Sequence, residues 1–349
     1  MQLTGCATSA RPSALPEAKG PPSAEVTRVG PVAGLPPFIE HWKLIRPERS
    51  GASAQVDLYL SRDDEKRPLV LLLHGSGCEP LFHFSANGGR RGLRSALLHF
   101  PLMMEQPRRA HFLAVEKRGV RSFTSENATC SAEWETDGAK KGSRVEDAVD
   151  AIEALSREPW VSSVLVVGHS EGAQVAAGVA GVLDTKLQAV ALLGGASAGQ
   201  LYDFVAQARR EAGPEAVDRA FADIARFAQG PLPEGQFLGL PEVRWRSFAW
   251  ESTPLEDLRG SRLPVFVGHG EADRASALAS ADLFVAELLR QRGPHPLRYE
   301  VYPGHDHVFS PAGGGGPNQT KRVFDRFFAW ATSAPGDVQV SHVEFGSPP

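Results

Sequence analysis

A serine stands at a sharp change of character in the segment VLVVGHSEGAQVAAGVA, residues 164–180. An aliphatic run ends at Gly168, Ser170 follows two positions later, and small residues then recur as they would along a helix. A serine hydroxyl becomes a nucleophile only when a base takes its proton and a carbonyl carbon can approach it. A tight strand-to-helix turn provides that access, and it needs small residues two places before and after the serine, as Gly168 and Gly172 are. The segment predicts a nucleophile elbow with Ser170 at its tip.

The same G-x-S-x-G pattern occurs again as GASAG at residues 195–199, around Ser197. This serine also follows a predicted strand and precedes a predicted helix. Ser170 is favoured because the turn HGSG (74–77) stands two strand units before it, and acid and histidine candidates follow later strands. An elbow at Ser197 would come one strand too late relative to that turn. We therefore interpret Ser197 as a turn residue.

Apolar runs and helical patterns alternate along most of the chain. The predicted strands are residues 40–47, 54–62, 67–77, 110–119, 161–168, 187–195, 263–270 and 297–304. Helices are predicted at residues 144–155 and 275–290, and a closing helix carries an apolar face of Val323, Phe324, Phe327, Phe328 and Ala331. The first two strands indicate a hairpin, and the later apolar runs are typical of a parallel sheet. The pattern predicts an α/β fold with a doubly wound, mostly parallel sheet and functional sites at the carboxyl ends of its strands.

The interval between the sixth and seventh predicted strands is too long for a simple crossover. We predict a helical lid at residues 199–258, inserted after the sixth strand, with helices at about 200–212 and 214–228. The interval is rich in aromatic residues: Tyr202, Phe204, Phe221, Phe227, Phe237, Trp245, Phe248 and Trp250. These side chains either cover an apolar pocket or form the core of a small helical subdomain, and both interpretations stay open.

From about residue 38 to residue 333 the chain resembles the α/β-hydrolase superfamily, through the elbow GHSEG, the turn HGSG and the later segments HGEADRAS and YPGHDHVFS. The resemblance implies an oxyanion hole of two backbone N–H groups, one from Ser76 or Gly77 and one from Glu171. It also implies a carboxylate after the seventh strand and a histidine after the eighth, so that the chain order is Ser, Asp, His.

The acid and the base each have two candidates. Asp273 has the family's spacing from the glycine that ends its strand, whereas Glu271 adjoins the strand end and would have to turn away from its helix. Both His305 and His307 follow the eighth strand, and the family's histidine is closely followed by an aromatic residue, as in HVF. The predicted catalytic residues are therefore Ser170, Asp273 and His307.

No cofactor and no metal are expected. His305, Asp306 and His307 are metal-ligating types, but two histidines and one carboxylate on a loop lack supporting ligands elsewhere in the sequence. The net charge of −4 shows no basic excess, which argues against a nucleic-acid partner. No apolar run approaches the roughly 20 residues of a membrane-spanning helix. The sequence leaves the oligomeric state open.

The segment LTGC at residues 3–6 resembles the bacterial lipobox, in which Cys6 would carry a lipid. Residues 1–37 are rich in Pro, Ala, Gly and Ser and are predicted to form a disordered tether; residues 334–349 are predicted to be a tail. The hydrolase core would then comprise residues 38–198 and 259–333. A functional lipobox places the protein in the bacterial cell envelope, tethered to a membrane. The basic and apolar parts of a signal peptide do not precede the motif, and an incidental cysteine would leave the protein cytoplasmic.

Two further cysteines fall in loops that can meet. Cys78 directly follows the turn HGSG, and Cys130 lies in the loop after the fourth strand, at the same edge of the predicted sheet. In an oxidising envelope, with Cys6 lipidated, they are an even pair, and we predict that they form a disulfide. Two free thiols in a cytosolic enzyme are the alternative.

The residues together predict a serine hydrolase that cleaves carboxylic esters of small molecules through an acyl-enzyme. The nearest alternative is a serine peptidase or aminopeptidase acting on short peptides, because the same groups cleave amides. The elbow reads GHSEGAQ and lacks the extra glycine of many oligopeptidase-type relatives, which favours esters. A non-hydrolytic ligand-binding protein is a third interpretation. The presence of serine, acid and histidine together argues against it.

Overall fold

The computed structural model describes residues 24–46, 55–87, 90–105, 107–125, 130–233, 235–293, 295–333, 335–336 and 338–345. The strands are β1 (Glu25–Pro31), β2 (Ile39–Ile45), β3 (Gln55–Ser61), β4 (Arg67–Leu73), β5 (His83–Asn87), β6 (Arg90–Arg94), β7 (His111–Val115), β8 (Thr124–Ser125), β9 (Val161–His169), β10 (Ala189–Leu193), β11 (Gln236–Phe237), β12 (Leu240–Pro241), β13 (Val265–Gly270), β14 (Leu297–Tyr302) and β15 (Gln339–His342). The helices are α1 (Phe100–Met104), α2 (Lys141–Leu155), α3 (Glu171–Leu183), α4 (Gln200–Ala228), α5 (Glu242–Trp245), α6 (Pro254–Asp257), α7 (Leu278–Arg292) and α8 (Thr320–Thr332).

Ten strands form one sheet in the order β1-β2-β3-β7-β4-β9-β10-β13-β14-β15. The pairs β1-β2, β2-β3 and β3-β7 are antiparallel. Every pairing from β7 to β15 is parallel. The prediction of a doubly wound, mostly parallel α/β sheet is therefore confirmed. The segment between β4 and β9 also forms a small second sheet, in the order β6-β5-β8. The sequence did not suggest this sheet.

Helices cover both faces of the sheet because successive side chains of each strand point to opposite faces. In β4, Leu69 and Leu71 pack into the same apolar cluster as α2, α3 and α7. Val70 and Leu72 pack into the other cluster, which includes α1 and α8. A strand buried on both faces needs apolar residues throughout, which is why this segment has an unbroken aliphatic run. Among the described residues, none of the helices has the length and apolarity needed to cross a membrane.

The sheet is wider than the sequence predicts. β1 lies within residues 1–37, predicted as a tether, and β15 lies within residues 334–349, predicted as a tail, so these two boundaries are corrected. Both are edge strands with mostly exposed side chains, held by backbone pairing to β2 and β14, so neither shows the apolar pattern of a buried strand. Cys6 and the rest of residues 1–23 lie outside the described residues.

The long interval after β10 contains α4, the hairpin β11-β12, α5 and α6. Helix α4 breaks where Gly213 adopts a φ of 74° and Pro214 follows, which matches the two predicted helices. Phe227, Phe237 and Trp245 pack together in a cluster separate from the two faces of the sheet. Part of the aromatic content therefore forms a small core, as one interpretation of this interval proposed. The action of this interval as a lid stays a prediction.

The predicted disulfide between Cys78 and Cys130 is confirmed. The sulfur atoms are bonded and the Cα atoms lie 5.5 Å apart, across a sequence separation of 52 residues. The bridge ties the turn that follows β4 to the loop that follows β7, so it constrains the segment from which one oxyanion donor is expected.

Removal of this bridge should lower the stability of the protein. Closing a loop of this length restricts the unfolded chain, and the chain-entropy model gives a contribution of about 4 kcal/mol. The Cys78→Ser/Cys130→Ser variant should therefore unfold at a clearly lower denaturant midpoint than the wild type, with an equal or larger m-value because its unfolded chain is less compact. Two titratable thiols at these positions in the native, unreduced protein would contradict the bridge.

Candidate active site

Ser170 occupies the turn between β9 and α3, with φ 57° and ψ −129°. Residues other than glycine rarely adopt such a conformation, and it is found mainly at functional positions. A Cβ atom at position 168 would lie 2.1 Å from the carbonyl oxygen of Gly172, and one at position 172 would lie 2.3 Å from that of Leu73. The two backbones approach too closely for any side chain. The turn thus has the shape that the spacing of small residues predicts.

His307 and Asp273 form a hydrogen-bonded pair. The Nδ1 atom of His307 lies 2.7 Å from Oδ2 of Asp273. The other carboxylate oxygen, Oδ1, accepts hydrogen bonds from the backbone N–H groups of Ala275 at 2.7 Å and Ser276 at 3.0 Å. An imidazole held in this way donates through Nδ1 and leaves Nε2 as the acceptor.

The carboxyl group of Asp273 is buried but remains suited to carrying a negative charge. Burial raises its pKa, but the hydrogen bond and the charge of His307, the charge of His269 and the backbone N–H of Ser276 lower it by more, so the net pKa is below the usual value. His269 also lies 3.6 Å from the same carboxylate. Asp273 is therefore ionised at neutral pH and can orient His307.

The alternative residues lie elsewhere. Ser197 is fully buried, and its hydroxyl donates to Asp203 at 2.6 Å and contacts the Ser280 hydroxyl at 3.0 Å. The carboxylate of Glu271 is exposed and accepts from the backbone N–H of Gly304 at 3.1 Å. His305 contacts the carbonyl oxygen of Pro303 through Nδ1 at 2.7 Å. The hydrogen bonds of Ser197, Glu271 and His305 therefore stabilise the local fold.

The turn after β4 passes directly over the candidate nucleophile. A Cβ atom on Gly75 would lie 3.6 Å from Oγ of Ser170. Ser76 lines the same cavity as Ser170, whereas Gly77 is not part of its wall. Of the two candidates for the first oxyanion donor, this geometry favours the N–H of Ser76. The second candidate donor is the N–H of Glu171, which is the first residue of α3 and directly follows Ser170.

Ser170, His307 and Ser76 open into one cavity of about 540 Å³. Gly194 packs against His307, and its φ of 57° is a conformation that favours glycine. The interval between β10 and β13 supplies most of the remaining wall: Gln200, Asp203, Phe204, Gln207, Ala208, Glu211, Leu238, Arg244 and Trp245. A cavity of this volume accommodates a small molecule.

Residues 70–313 match the family model described as the alpha/beta hydrolase family. The chain belongs to this family. The matched segment extends from β4 to the loop after β14, so it contains Ser170, Asp273 and His307. No sequence among curated proteins matches the chain significantly.

Solved structures of similar fold include one named as an esterase and one named as a peptidase. Est1E from Butyrivibrio proteoclasticus, with ferulic acid bound, is 12% identical with a TM-score of 0.52, covering 80% of this chain and 97% of that one. Acetyl xylan esterase 1 from a Thermoanaerobacterium species is 13% identical with a TM-score of 0.50, covering 89% of each chain. A puromycin-hydrolysing peptidase from Mycobacterium tuberculosis is 18% identical with a TM-score of 0.51, covering 86% of this chain and only 41% of the peptidase. At these identities the likeness shows the α/β-hydrolase fold alone.

The sequence predicts a role only for the backbone of Glu171 in this alpha/beta hydrolase, but its side chain is the centre of a buried charged cluster: Lys117, Arg144, Glu171 and Arg244. Arg144 donates to Oε1 of Glu171 at 2.7 Å, and Arg244 donates to Oε2 at 2.7 Å. One signal was present in the sequence, since Glu171 is the only charged residue of α3. Its partners are distant in sequence, and only the fold brings them together.

His169 was also missed. Burial, followed by the neighbouring His307, lowers the pKa of His169 to about 3, so its ring is neutral. Its Nε2 atom lies 2.8 Å from the carbonyl oxygen of His307, to which it donates, and the two rings are 4.8 Å apart. His169 therefore fixes the backbone of the histidine loop. Within the described residues, no group of three or more His, Cys, Asp or Glu side chains is arranged to hold a metal ion.

Proposed function

We propose that this alpha/beta hydrolase is a serine hydrolase that cleaves carboxylic esters through an acyl-enzyme. The observation that carries the proposal is the 2.7 Å hydrogen bond between His307 and the buried Asp273, at a cavity that Ser170 also lines. An oriented imidazole beside a serine on a strained turn is the arrangement that activates a hydroxyl for attack on a carbonyl carbon.

The direction of proton transfer depends on which nitrogen of the His307 ring is hydrogen-bonded to Asp273. Asp273 occupies Nδ1 of His307, so Nε2 accepts the proton as Oγ of Ser170 bonds to the carbonyl carbon. The electron pair of the carbonyl bond moves to the oxygen, which the N–H groups of Ser76 and Glu171 stabilise. Collapse of this intermediate expels the alcohol, which takes the proton from His307. Water then attacks the acyl-enzyme by the same steps and releases the acid and Ser170.

The elbow sequence GHSEGAQ supports esters over peptides. A second candidate function, an aminopeptidase, has one observation in its favour: the carboxyl groups of Asp203 and Glu211 line the cavity, where they would attract the ammonium group of a peptide N-terminus. The solved structures of similar fold include one named as an acetyl xylan esterase and others named as peptidases, so the fold is compatible with both activities.

A substrate panel tests the proposal. The folded protein should react covalently with a fluorophosphonate, and its kcat/KM for p-nitrophenyl esters should exceed that for matched aminoacyl anilides. The esters and anilides should share one acyl group, so that only the scissile bond differs. Turnover of anilides with negligible turnover of esters would contradict the esterase activity and support the peptidase activity. Absence of both labelling and turnover in folded protein would favour a ligand-binding protein.

We also infer that the protein works in an oxidising compartment of the cell envelope. The disulfide between Cys78 and Cys130 supports this, because such bridges persist outside reducing cytosol. The lipobox-like segment ending at Cys6 supports a membrane tether through a lipid. Metabolic labelling with radioactive palmitate should mark the wild type and not Cys6→Ser, and equal labelling of both would remove the tether from the proposal.

A further inference from the structure

The buried charged cluster is unusual in how little of it is exposed. Lys117, Arg144, Glu171 and Arg244 have exposed fractions of 4%, 5%, 6% and 7%. Removing charged groups from water costs several kcal/mol each, so buried ion pairs seldom add net stability. The contacts of this cluster are with the backbone around the candidate oxyanion hole, which points to a role in catalysis.

Two of the cations fix the turn after β4. Nζ of Lys117 donates to the carbonyl oxygens of Gly75 at 2.7 Å and Gly77 at 2.6 Å, and Nη2 of Arg144 donates to that of His74 at 2.5 Å. A peptide unit is planar, so a fixed carbonyl oxygen also fixes the N–H of the following residue. Lys117 therefore sets the direction of the Ser76 N–H, the first oxyanion donor.

The same cluster fixes the second donor. Arg144 and Arg244 hold the Glu171 carboxylate from two sides, with Nη2 of Arg244 at 2.6 Å in addition to its Nε contact. Glu171 carries the second oxyanion N–H on its own backbone, at the first position of α3. Since Arg144 contacts both the His74 carbonyl and Glu171, it connects the two halves of the hole.

We propose that Lys117, Arg144, Glu171 and Arg244 are positioning residues for the oxyanion hole, and that Arg244 couples the interval between β10 and β13 to it. Arg244 belongs to α5, and its guanidinium lies 4.3 Å from the ring centroid of Trp245. Trp245 lines the substrate cavity. Arg244 and Glu171 line the same cavity, so a substrate that contacts this wall contacts the cluster itself. The inference rests on the proposed function, because an oxyanion forms only in acyl transfer.

Lys117 lies among charges of both signs, because Arg144 is a second cation near it and Glu171, Glu116 and Glu79 are carboxylates. Burial, followed by the like charge of Arg144, lowers the pKa of Lys117 from its usual 10.5 to about 7, against the opposing effects of Glu171, Glu116 and Glu79. His74 also lies within the electrostatic range of Lys117. Lys117 is therefore the member whose charge changes near neutral pH.

The first test compares two arginines of the same segment. Arg244→Met removes both hydrogen bonds to Glu171 and keeps an apolar stem. Arg246→Met is the matched control, because Arg246 pairs with Glu242 at 2.5 Å and lies over Phe227 at 4.4 Å, away from the cluster. We expect Arg244→Met to lower kcat for a p-nitrophenyl ester by about 10- to 100-fold, in line with partial loss of an oxyanion donor, and to change KM by less than kcat because Arg244 also lines the cavity.

Arg246→Met should retain kcat, and Arg244→Lys should recover part of the loss because it keeps the charge without the two-pronged contact. If Arg244→Met does not fold, Glu171→Gln replaces it and should show the same fall in kcat. A kcat unchanged in folded Arg244→Met, or an equal fall in Arg246→Met, would overturn the proposal.

Amide hydrogen exchange reports how firmly the backbone of the oxyanion turn is held, and it does not depend on catalytic activity. Exchange of the segment 74–78 should accelerate in Arg244→Met and not in Arg246→Met. If the wild type proves to have no hydrolytic activity, the proposed function fails, while unaltered exchange in Arg244→Met would separately overturn the positioning role.

The pH dependence supplies a readout that a purely structural role would not give. Because the pKa of Lys117 is lower in the folded than in the unfolded chain, the folded state binds fewer protons between about 7 and 10.5, and this group makes stability rise with pH in that window. In the folded protein the ammonium group that holds the Gly75 and Gly77 carbonyl oxygens loses its charge around pH 7, so kcat should fall as the pH rises above about 7. Lys117→Met should lack this fall, and an identical alkaline decline in Lys117→Met would remove Lys117 from the proposal.

Discussion

Ser170→Ala should abolish fluorophosphonate labelling and lower kcat for esters by on the order of 10⁴-fold or more, as loss of the nucleophile does in enzymes of this chemistry. The fold should survive the change. Alanine keeps the Cβ atom that the positive φ of 57° already tolerates in the wild type. The N–H of residue 170, which donates to the Leu193 carbonyl oxygen at 2.9 Å, is also retained. Circular dichroism and the unfolding midpoint check that only chemistry is lost.

Ser197→Ala is the control for this experiment. Ser197 is the other serine of a G-x-S-x-G pattern, and its hydroxyl is bonded to Asp203 and Ser280 in the interior. The substitution should lower stability by about 2 to 3 kcal/mol, because the buried hydroxyl donates to a carboxylate and also accepts from the Gly199 N–H, and it should leave covalent labelling intact. Labelling that disappears in Ser197→Ala and persists in Ser170→Ala would move the nucleophile to the second pattern.

The parts of the fold that the sequence predicts are those with a strong periodic signal. The aliphatic runs of β4, β9 and β13 are buried on both faces, and strands in that environment have a composition that few other elements share. The apolar face of α8 repeats at helical spacing. The turn at Ser170 is predictable for another reason, because close backbone approach allows only glycine at positions 168 and 172.

The edge strands and the charged cluster had no such signal. β1 and β15 are held by backbone hydrogen bonds, which any sequence can form, and their side chains mostly face solvent. Arg244 lies 73 positions from Glu171, and Arg144 lies 27 positions from it. Glu171 stood out as a charged residue in α3, but nothing in the sequence indicates which distant residues would pair with it. Such contacts depend on how the interval after β10 packs on the core.

His307→Ala should lower kcat for esters by on the order of 10⁴-fold or more with the fold intact, because Ser170 then lacks a group to take its proton. The histidine side chain is partly exposed at the cavity, with an exposed fraction of 23%, so added imidazole can enter the space that it leaves. We expect imidazole in the assay to restore part of the activity of His307→Ala and to leave Ser170→Ala inactive. This pattern would assign the proton transfer to position 307 rather than to a change in loop structure.

His305→Ala is the matched control on the same loop. Its Nδ1 contacts the Pro303 carbonyl oxygen, and its ring meets Phe345 edge-on at 5.4 Å, so the side chain packs against the C-terminal segment and not against Asp273. The substitution should change kcat by no more than a few-fold, and imidazole should have no effect on it. A severe loss in His305→Ala together with near-normal activity in His307→Ala would place the base two residues earlier in the chain. That outcome would also break the link to Asp273, because the carboxylate contacts His307 at 2.7 Å, and the acid would then have to be sought again.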